Sequence, residues 1–593
     1  MNSRNPYLVT KALKTFMWGS ILAAVSSQIA TTTDAIVVSN LIGPDAISAI
    51  NLMMPILTLF TCLMILFGIG ASIVAAKAIG RRDDKEANGV FTSSVIGAFF
   101  SGLILAIIIY VFSPSIVSVL TGGNAEIYSL ALSYLKVMCV AVPLQMMAGV
   151  VENFVKTDGN PNLVMIAVIS GSVVNLILDI VFVKFLGMGI AGSAWATGIN
   201  YIFAIFICLV HFRSQHCSLK WRVDKEKWLS YISQSVNQGL PISINTFLLG
   251  ACILGINYIV LAASGADGIY CWSVCLQLFL IMQMVFMGIG SSIYAIGGLL
   301  VGEQDMEGLA ILNYKTVVYT TVALSVITVG ILIFPEFFGH LFGSRSDDPI
   351  TILPLALRAY VIMLIPYSIV ALLRTTYQIL GHVKMSLFLS VFQLLIMLGF
   401  VWGFSYISPS VLWWGFPASA VTLLAGVVIY TFYVHHKNPV LRPVTLIPEI
   451  KDNDSLNVSV KMDQQSVAAA DRQVADFLKN KELDDFTSYQ VRLTCEELMH
   501  NIVCHSVTKN AKKHYFDLHI RTSNDNVNVL IKDDGRPFNP IITDNKKITS
   551  NNPDDKLGLK IVNCTAGSIN YKYMYDQNMV MIQFPRNNQN KNI

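Results

Sequence analysis

GIGASIVAAKAIGRRDDKEAN, residues 68–88, and GIGSSIYAIGGLLVGEQDMEGL, residues 288–309, decide how this chain is read. Each is a Gly-rich apolar stretch of helical character that runs into a charged loop, and the two lie about 220 residues apart. A second pair of matching segments joins Asp158-Gly159-Asn160-Pro161 to Gly381-His382-Val383-Lys384. A third joins Gly189-Ile190-Ala191-Gly192-Ser193-Ala194 to Gly415-Phe416-Pro417-Ala418-Ser419-Ala420. The offsets are similar in all three. Two halves of the same topology in one membrane chain suggest a transporter that rocks around a central cavity.

Working outward, the apolar stretches are membrane spans. A helix needs roughly 20 mainly apolar residues to cross the hydrocarbon. Twelve such stretches run near 13–40, 46–76, 90–112, 127–152, 162–185, 190–212, 238–263, 269–300, 314–338, 352–380, 385–407 and 411–435. One set of loops carries Lys77, Arg81, Arg82, Lys85, Lys156, Arg213, Lys220, Arg222, Lys225, Lys227 and Lys384, whereas the alternate set is nearly free of Lys and Arg. The positive-inside rule then puts both termini in the cytoplasm of a multi-pass cell-membrane protein.

Charge marks where the membrane body stops. Of 593 residues 13% are charged, half the proportion usual in soluble chains. Residues 451–593 hold 19 of the 41 Lys and Arg and 18 of the 37 Asp and Glu, so they form a soluble tail of ordinary charge density. The net charge of +4 is too small to imply a nucleic-acid partner. The ten cysteines show no paired metal-ligand spacing.

A polar group inside a span is costly and is a functional candidate by default. Asp34 lies in TTTDAIVV of the first span. Asn175 and Asp179 are four residues apart on one face of the fifth, and Thr197 follows on the sixth. Together they could form a cation site, since a buried carboxylate can take up and release protons. A structural reading competes: Asp179 as a contact between two helices, and Asp34 as a group satisfied by its neighbouring threonines. The second half has no matching acid, although Arg374 is buried in its tenth span.

The tail has a different periodicity. Residues 456–462 alternate as a strand, and a helix follows with Asp463 as its cap. A second helix over 482–507, two strands, a short helix over 556–566 and two final strands complete an α/β sandwich. Glu497 and Asn501 share one helical face. An Asn oxygen suits Mg²⁺, and a carboxylate can orient or deprotonate an attacking hydroxyl. Asp533 at a strand end, followed by Asp534-Gly535, can accept an adenine amino group in a tight turn.

Residues 13–435 resemble the MATE (multidrug and toxin extrusion) family, on Asp34 with Gly43-Pro44-Asp45-Ala46, Gly70 through Asn88, Asp158-Gly159-Asn160-Pro161, and Asn175 to Asp179 with Gly189 through Thr197. The resemblance implies an all-α membrane fold of twelve helices in two six-helix lobes. It also implies export of drugs or organic cations in antiport with protons or Na⁺, with Asp34, Asn175, Asp179 and Thr197 holding the coupling ion.

The tail resembles the anti-sigma-factor serine kinases of the GHKL ATPase superfamily. That implies a cytoplasmic α/β sandwich binding ATP and Mg²⁺, with Glu497 catalytic, Asn501 on the metal, and Asp533, Gly535 and Gly558 around the nucleotide. In the segment Asp555-Lys556-Leu557-Gly558-Leu559 a single glycine stands where the superfamily is Gly-rich. The domains are expected at 1–225 and 226–440 for the lobes, 441–455 for a linker and 456–593 for the ATP-binding domain. Two other functions stay open: a membrane sensor whose tail phosphorylates a STAS-like anti-sigma antagonist, and a lipid-linked precursor flippase.

Overall fold

The computed structural model describes residues 4–122, 124–337, 352–449, 454–481, 483–505, 514–541 and 567–586. Two compact units emerge. One is Phe16–Pro448, and the other joins Met1–Thr15 to Glu449–Ile593.

The first unit is mainly helical. Among the described residues, eleven helical runs are long and apolar enough to span a membrane. One of them, Trp228–Gly302, is 75 residues long, about 110 Å if straight and far beyond one bilayer. The chain breaks inside it at Gly265, where φ is 62° and ψ −150°. This single run therefore holds the seventh and eighth of the twelve expected spans.

The internal repeat is visible in the backbone. Arg82 (φ 62°) and Gln304 (φ 61°) occupy matching places after the two Gly-rich helices. The next residue caps the following helix in each half. Asp83 accepts from the Glu86 amide at 2.9 Å, and Asp305 from that of Gly308 at 2.8 Å. Gly159 (φ 92°) and Gly381 (φ 91°) likewise match, each just before the cap of the next helix. These left-handed residues sit where the chain must reverse and where glycine or a strained residue is required.

The two Gly-rich helices also pack on each other. A Cβ on Gly80 would lie 2.3 Å from the Leu299 carbonyl oxygen, and one on Gly302 2.2 Å from that of Lys77. Small residues let the backbones approach this closely, as membrane helices commonly require. At the other motif, Asp158 ties the chain together. It accepts from the Ser218 amide at 2.9 Å and pairs with His211 Nε2 at 2.8 Å.

Among the described residues, the second unit is built on a five-stranded antiparallel sheet of order β1-β2-β3-β5-β4. Its strands are β1 (Ser455–Lys461), β2 (Tyr515–Thr522), β3 (Asn526–Asp533), β4 (Ser568–Met574) and β5 (Gln577–Pro585). Tyr575 and Asp576, with φ of 53° and 58°, form the two-residue turn that joins β4 to β5. Helices Gln464–Lys479 and Asp485–His505 cover one face. Asp463 caps the first, accepting from the Ser466 amide at 2.8 Å, and Ala470, Val474 and Leu478 recur every four residues on its buried side. They share a core with Val491, Cys495, Leu498 and Met499 of the second helix and with Phe516, Leu518, Val527, Val529, Ile531, Ile582 and Phe584 of the sheet. The short helix expected over 556–566 lies outside the described residues.

Candidate functional sites

In the membrane unit, the helix Pro161–Asp179 ends in a π-helical stretch, Ile180–Phe185. Such stretches widen a helix and collect at functional sites. Asp179 stands at the junction, fully buried, with its carboxyl group within reach of Asp34 and Ser193. Asp34 is its electrostatic neighbour, and the Tyr134 ring is buried beside both.

Asp34 accepts from Ser193 Oγ at 3.0 Å. Thr31 and Thr32 do not satisfy it: each donates back to a carbonyl of its own helix, those of Ser27 and Gln28. Asn175 Nδ2 reaches Thr197 Oγ1 at 3.5 Å, and Thr197 in turn donates to the Ser193 carbonyl at 3.1 Å. The four residues expected from sequence thus lie in one network. Ser193 belongs to it as well, and the buried Tyr134 lies beside it. Ser193 was legible as the residue one turn before Thr197 on the same helix face.

A buried carboxylate pays heavily for its charge unless a proton or a cation joins it. A second acid beside it strengthens that demand. The group is therefore suited to hold one small cation between Asp34 and Asp179, with hydroxyl and amide oxygens around it. In the second half, Arg374 is buried, and its Nε and Nη1 have no hydrogen-bond partner among the described residues. Beside it in sequence, Thr375 Oγ1 lies 3.2 Å from the Tyr294 hydroxyl.

In the other unit, Asp533 is the last residue of β3. Burial pushes its carboxyl up to about 6, against the pull of the Asn578 side chain and the Gly535 amide. Those two groups donate to the same oxygen, Oδ1, at 3.0 and 2.8 Å. Asn578 lies directly across the ladder from Asp533 and is itself fixed, since its Oδ1 accepts from the Tyr571 hydroxyl at 2.7 Å and from the Phe538 amide at 3.1 Å. The sequence reading missed Asn578 and Tyr571. Their signal is register across strands, which is not local in the chain.

Glu497 and Asn501 lie one turn apart on the helix that shares the core with β3, and both are half-buried. Asn501 Nδ2 is buried without a partner among the described residues. An oriented acceptor at Asp533 fits the adenine amino group, and the unpartnered Asn501 Nδ2, a donor, fits a phosphate oxygen, which leaves Asn501 Oδ1 as the atom for Mg²⁺. Gly558 lies outside the described residues.

These two arrangements define a class: an intramembrane acid pair on a two-lobed helical bundle, and an acceptor Asp at a strand end of a layered α/β domain. Comparison with known proteins gives the families. Residues 20–181 match the MatE family and residues 460–584 the histidine kinase-like ATPase domain. The chain carries a MATE-family transporter domain fused to a C-terminal GHKL-like ATPase domain.

Among curated relatives, the multidrug export protein MepA of Staphylococcus aureus is 26% identical over 283 residues, 47% of this chain and 62% of that protein. MepA of Staphylococcus haemolyticus is 25% identical over 286 residues, 48% of this chain and 63% of that one. The match thus spans a little under two thirds of these relatives. Among solved structures, a MATE transporter in complex with MaD5 aligns over 74% of this chain and 99% of its own, with TM-score 0.66 and 21% identity. A MOP-superfamily transporter from Pyrococcus furiosus, described as having a binding pocket of reversed polarity, aligns over 70% and 93%, with TM-score 0.63 and 22% identity. These likenesses concern the fold.

Proposed function

We propose that the protein is an ion-coupled exporter of drugs or organic cations, regulated by nucleotide bound to its C-terminal domain. The observation that carries the reading is Asp179, fully buried directly beside a second acid, Asp34. Protons or Na⁺ entering down their gradient neutralise this pair. The changed hydrogen bonds of Ser193 and Thr197 shift the packing of their helix and release substrate to the far side. The relatives named for multidrug export support the substrate class.

In this reading the ion gradient, and not ATP, drives transport; the chain contains no GxxxxGK[ST] loop of the kind P-loop ATPases carry. In the C-terminal domain Asp533 receives the adenine amino group, Asn501 supports Mg²⁺, and Glu497 orients a hydroxyl nucleophile. Both termini face the cytoplasm, where ATP is available.

The test is efflux of a fluorescent organic cation from proteoliposomes holding the full-length protein. Export driven by an imposed proton or Na⁺ gradient, and not by ATP alone, is the expected result. Export that needs ATP and ignores both gradients would overturn the reading.

A further inference from the structure

The sheet of the C-terminal domain is used on both faces. The helices cover the face that carries Phe516, Leu518, Val529, Ile531 and Ile582. Side chains alternate along a strand, so Asp533 and Asn578 lie on that same face and their immediate neighbours turn away from it. Those neighbours, Asp534 and Gln577, are held by the first residues of the chain. Asp534 Oδ2 accepts from the Tyr7 hydroxyl at 2.7 Å and Lys11 Nζ at 2.8 Å, and lies 2.8 Å from His514 Nδ1. Gln577 Nε2 donates to the Leu8 carbonyl at 2.7 Å.

The contacts continue across the sheet on the alternate residues. Arg4 pairs with Asp517 at 2.9 Å, both side chains almost wholly buried. Ser459 Oγ donates to Asp517 at 2.6 Å and accepts from the Asn5 amide at 3.0 Å. Thr15 Oγ1 donates to Asp576 in the β4–β5 turn at 3.2 Å. Residues 4–15 are therefore a built part of this domain, although more than 430 residues separate them from it in the chain. Some of these residues already belong to the helix Tyr7–Leu41, which goes on to carry Asp34.

We infer that residues 4–15 form a latch which links nucleotide occupancy at Asp533 to the start of the first membrane helix. This rests on the proposed nucleotide site. Two pairs of consecutive residues, Asp533-Asp534 and Asn578 with Gln577, each give one side chain to the site and one to the latch. A shift at either strand end is felt on both faces, because the peptide between the paired residues is rigid. The partners of Asp534 set its position and so hold Asp533 ready for its ligand. Coupling of this kind is reciprocal: what the latch does for the nucleotide, the nucleotide does for the latch.

The experiment uses the full-length protein in detergent. ATP with Mg²⁺ is titrated calorimetrically into the wild type, Lys11→Met, Tyr7→Phe and Arg4→Met, and hydrogen exchange of residues 4–15 is followed with and without ATP. The variants are expected to bind ATP about fivefold or more weakly, within the usual span of coupling between sites. ATP is expected to slow exchange in residues 4–15 of the wild type. Each variant is first shown to melt cooperatively. Wild-type binding with unchanged affinity in all three variants, and exchange indifferent to ATP, would overturn the latch alone. Absence of ATP binding to the wild type would overturn the nucleotide site and the latch with it.

Discussion

Replacing Gly80 with alanine forces a methyl group into backbone. The new Cβ would stand 2.3 Å from the Leu299 carbonyl oxygen and 2.9 Å from the Glu303 amide nitrogen, where ordinary contact is 3.4–4 Å. Neither atom belongs to a flexible side chain, so the two Gly-rich helices must part by roughly 1 Å. A gap of that size forfeits about a quarter to a half of each dispersion contact across it. Overpacking of this kind costs about 1–3 kcal/mol. Gly302→Ala strikes the same crossing from the other side, 2.2 Å from the Lys77 carbonyl oxygen and 2.9 Å from Gly80 Cα. Once one methyl has parted the helices, the second meets less resistance. The double variant should therefore cost less than the sum of the singles, by about 0.5–3 kcal/mol. Reversible unfolding of the four proteins in mixed micelles measures this. Gly250→Ala, whose Cβ would meet nothing within 4 Å, is the control. Single variants within about 0.5 kcal/mol of wild type, or strict additivity, would refute close packing between the repeat helices.

Nucleotide binding should depend on pH through Asp533. Its carboxyl is raised to about 6, so below that value it carries the proton that an acceptor must not carry. If only the ionised form binds, ATP affinity at pH 5 should be about tenfold weaker than at pH 7.5, read by calorimetry; a flat profile would remove Asp533 from the site. The same shift has a stability sign. The folded state binds this proton more tightly, so Asp533 favours folding below its unfolded value near 4, and that contribution is lost as pH rises towards about 6. Asp463→Ala removes the cap of the helix Gln464–Lys479 and should destabilise the C-terminal domain by about 1 kcal/mol, seen as an earlier domain transition in thermal melts.

Much of this was readable in the chain because it is local. Asp463 stands three residues before the Ser466 amide that it caps, and alternating apolar residues announce β1, β2 and β3. The spans follow from apolar length, and even the seventh and eighth could be separated, because Gly265 lies in the polar SGADG turn. What escaped was non-local. Arg4 and Asp517 are 513 residues apart, and no periodicity connects a membrane-entry segment to a strand of the tail. Asn578 meets Asp533 only through the β3–β5 register, which a sequence does not state. The repeat was visible as matched motifs. That its two Gly-rich helices press on each other depended on tertiary geometry.

The central claim is that the Asp34–Asp179 pair holds the coupling ion. Asp179→Asn keeps the shape of the side chain and removes the charge that an ion would neutralise. In proteoliposomes with an imposed proton or Na⁺ gradient, the account predicts that wild-type protein exports a fluorescent organic cation and that the Asn variant, folded and still able to bind that cation, does not. Gradient-driven export by Asp179→Asn at the wild-type rate would contradict it.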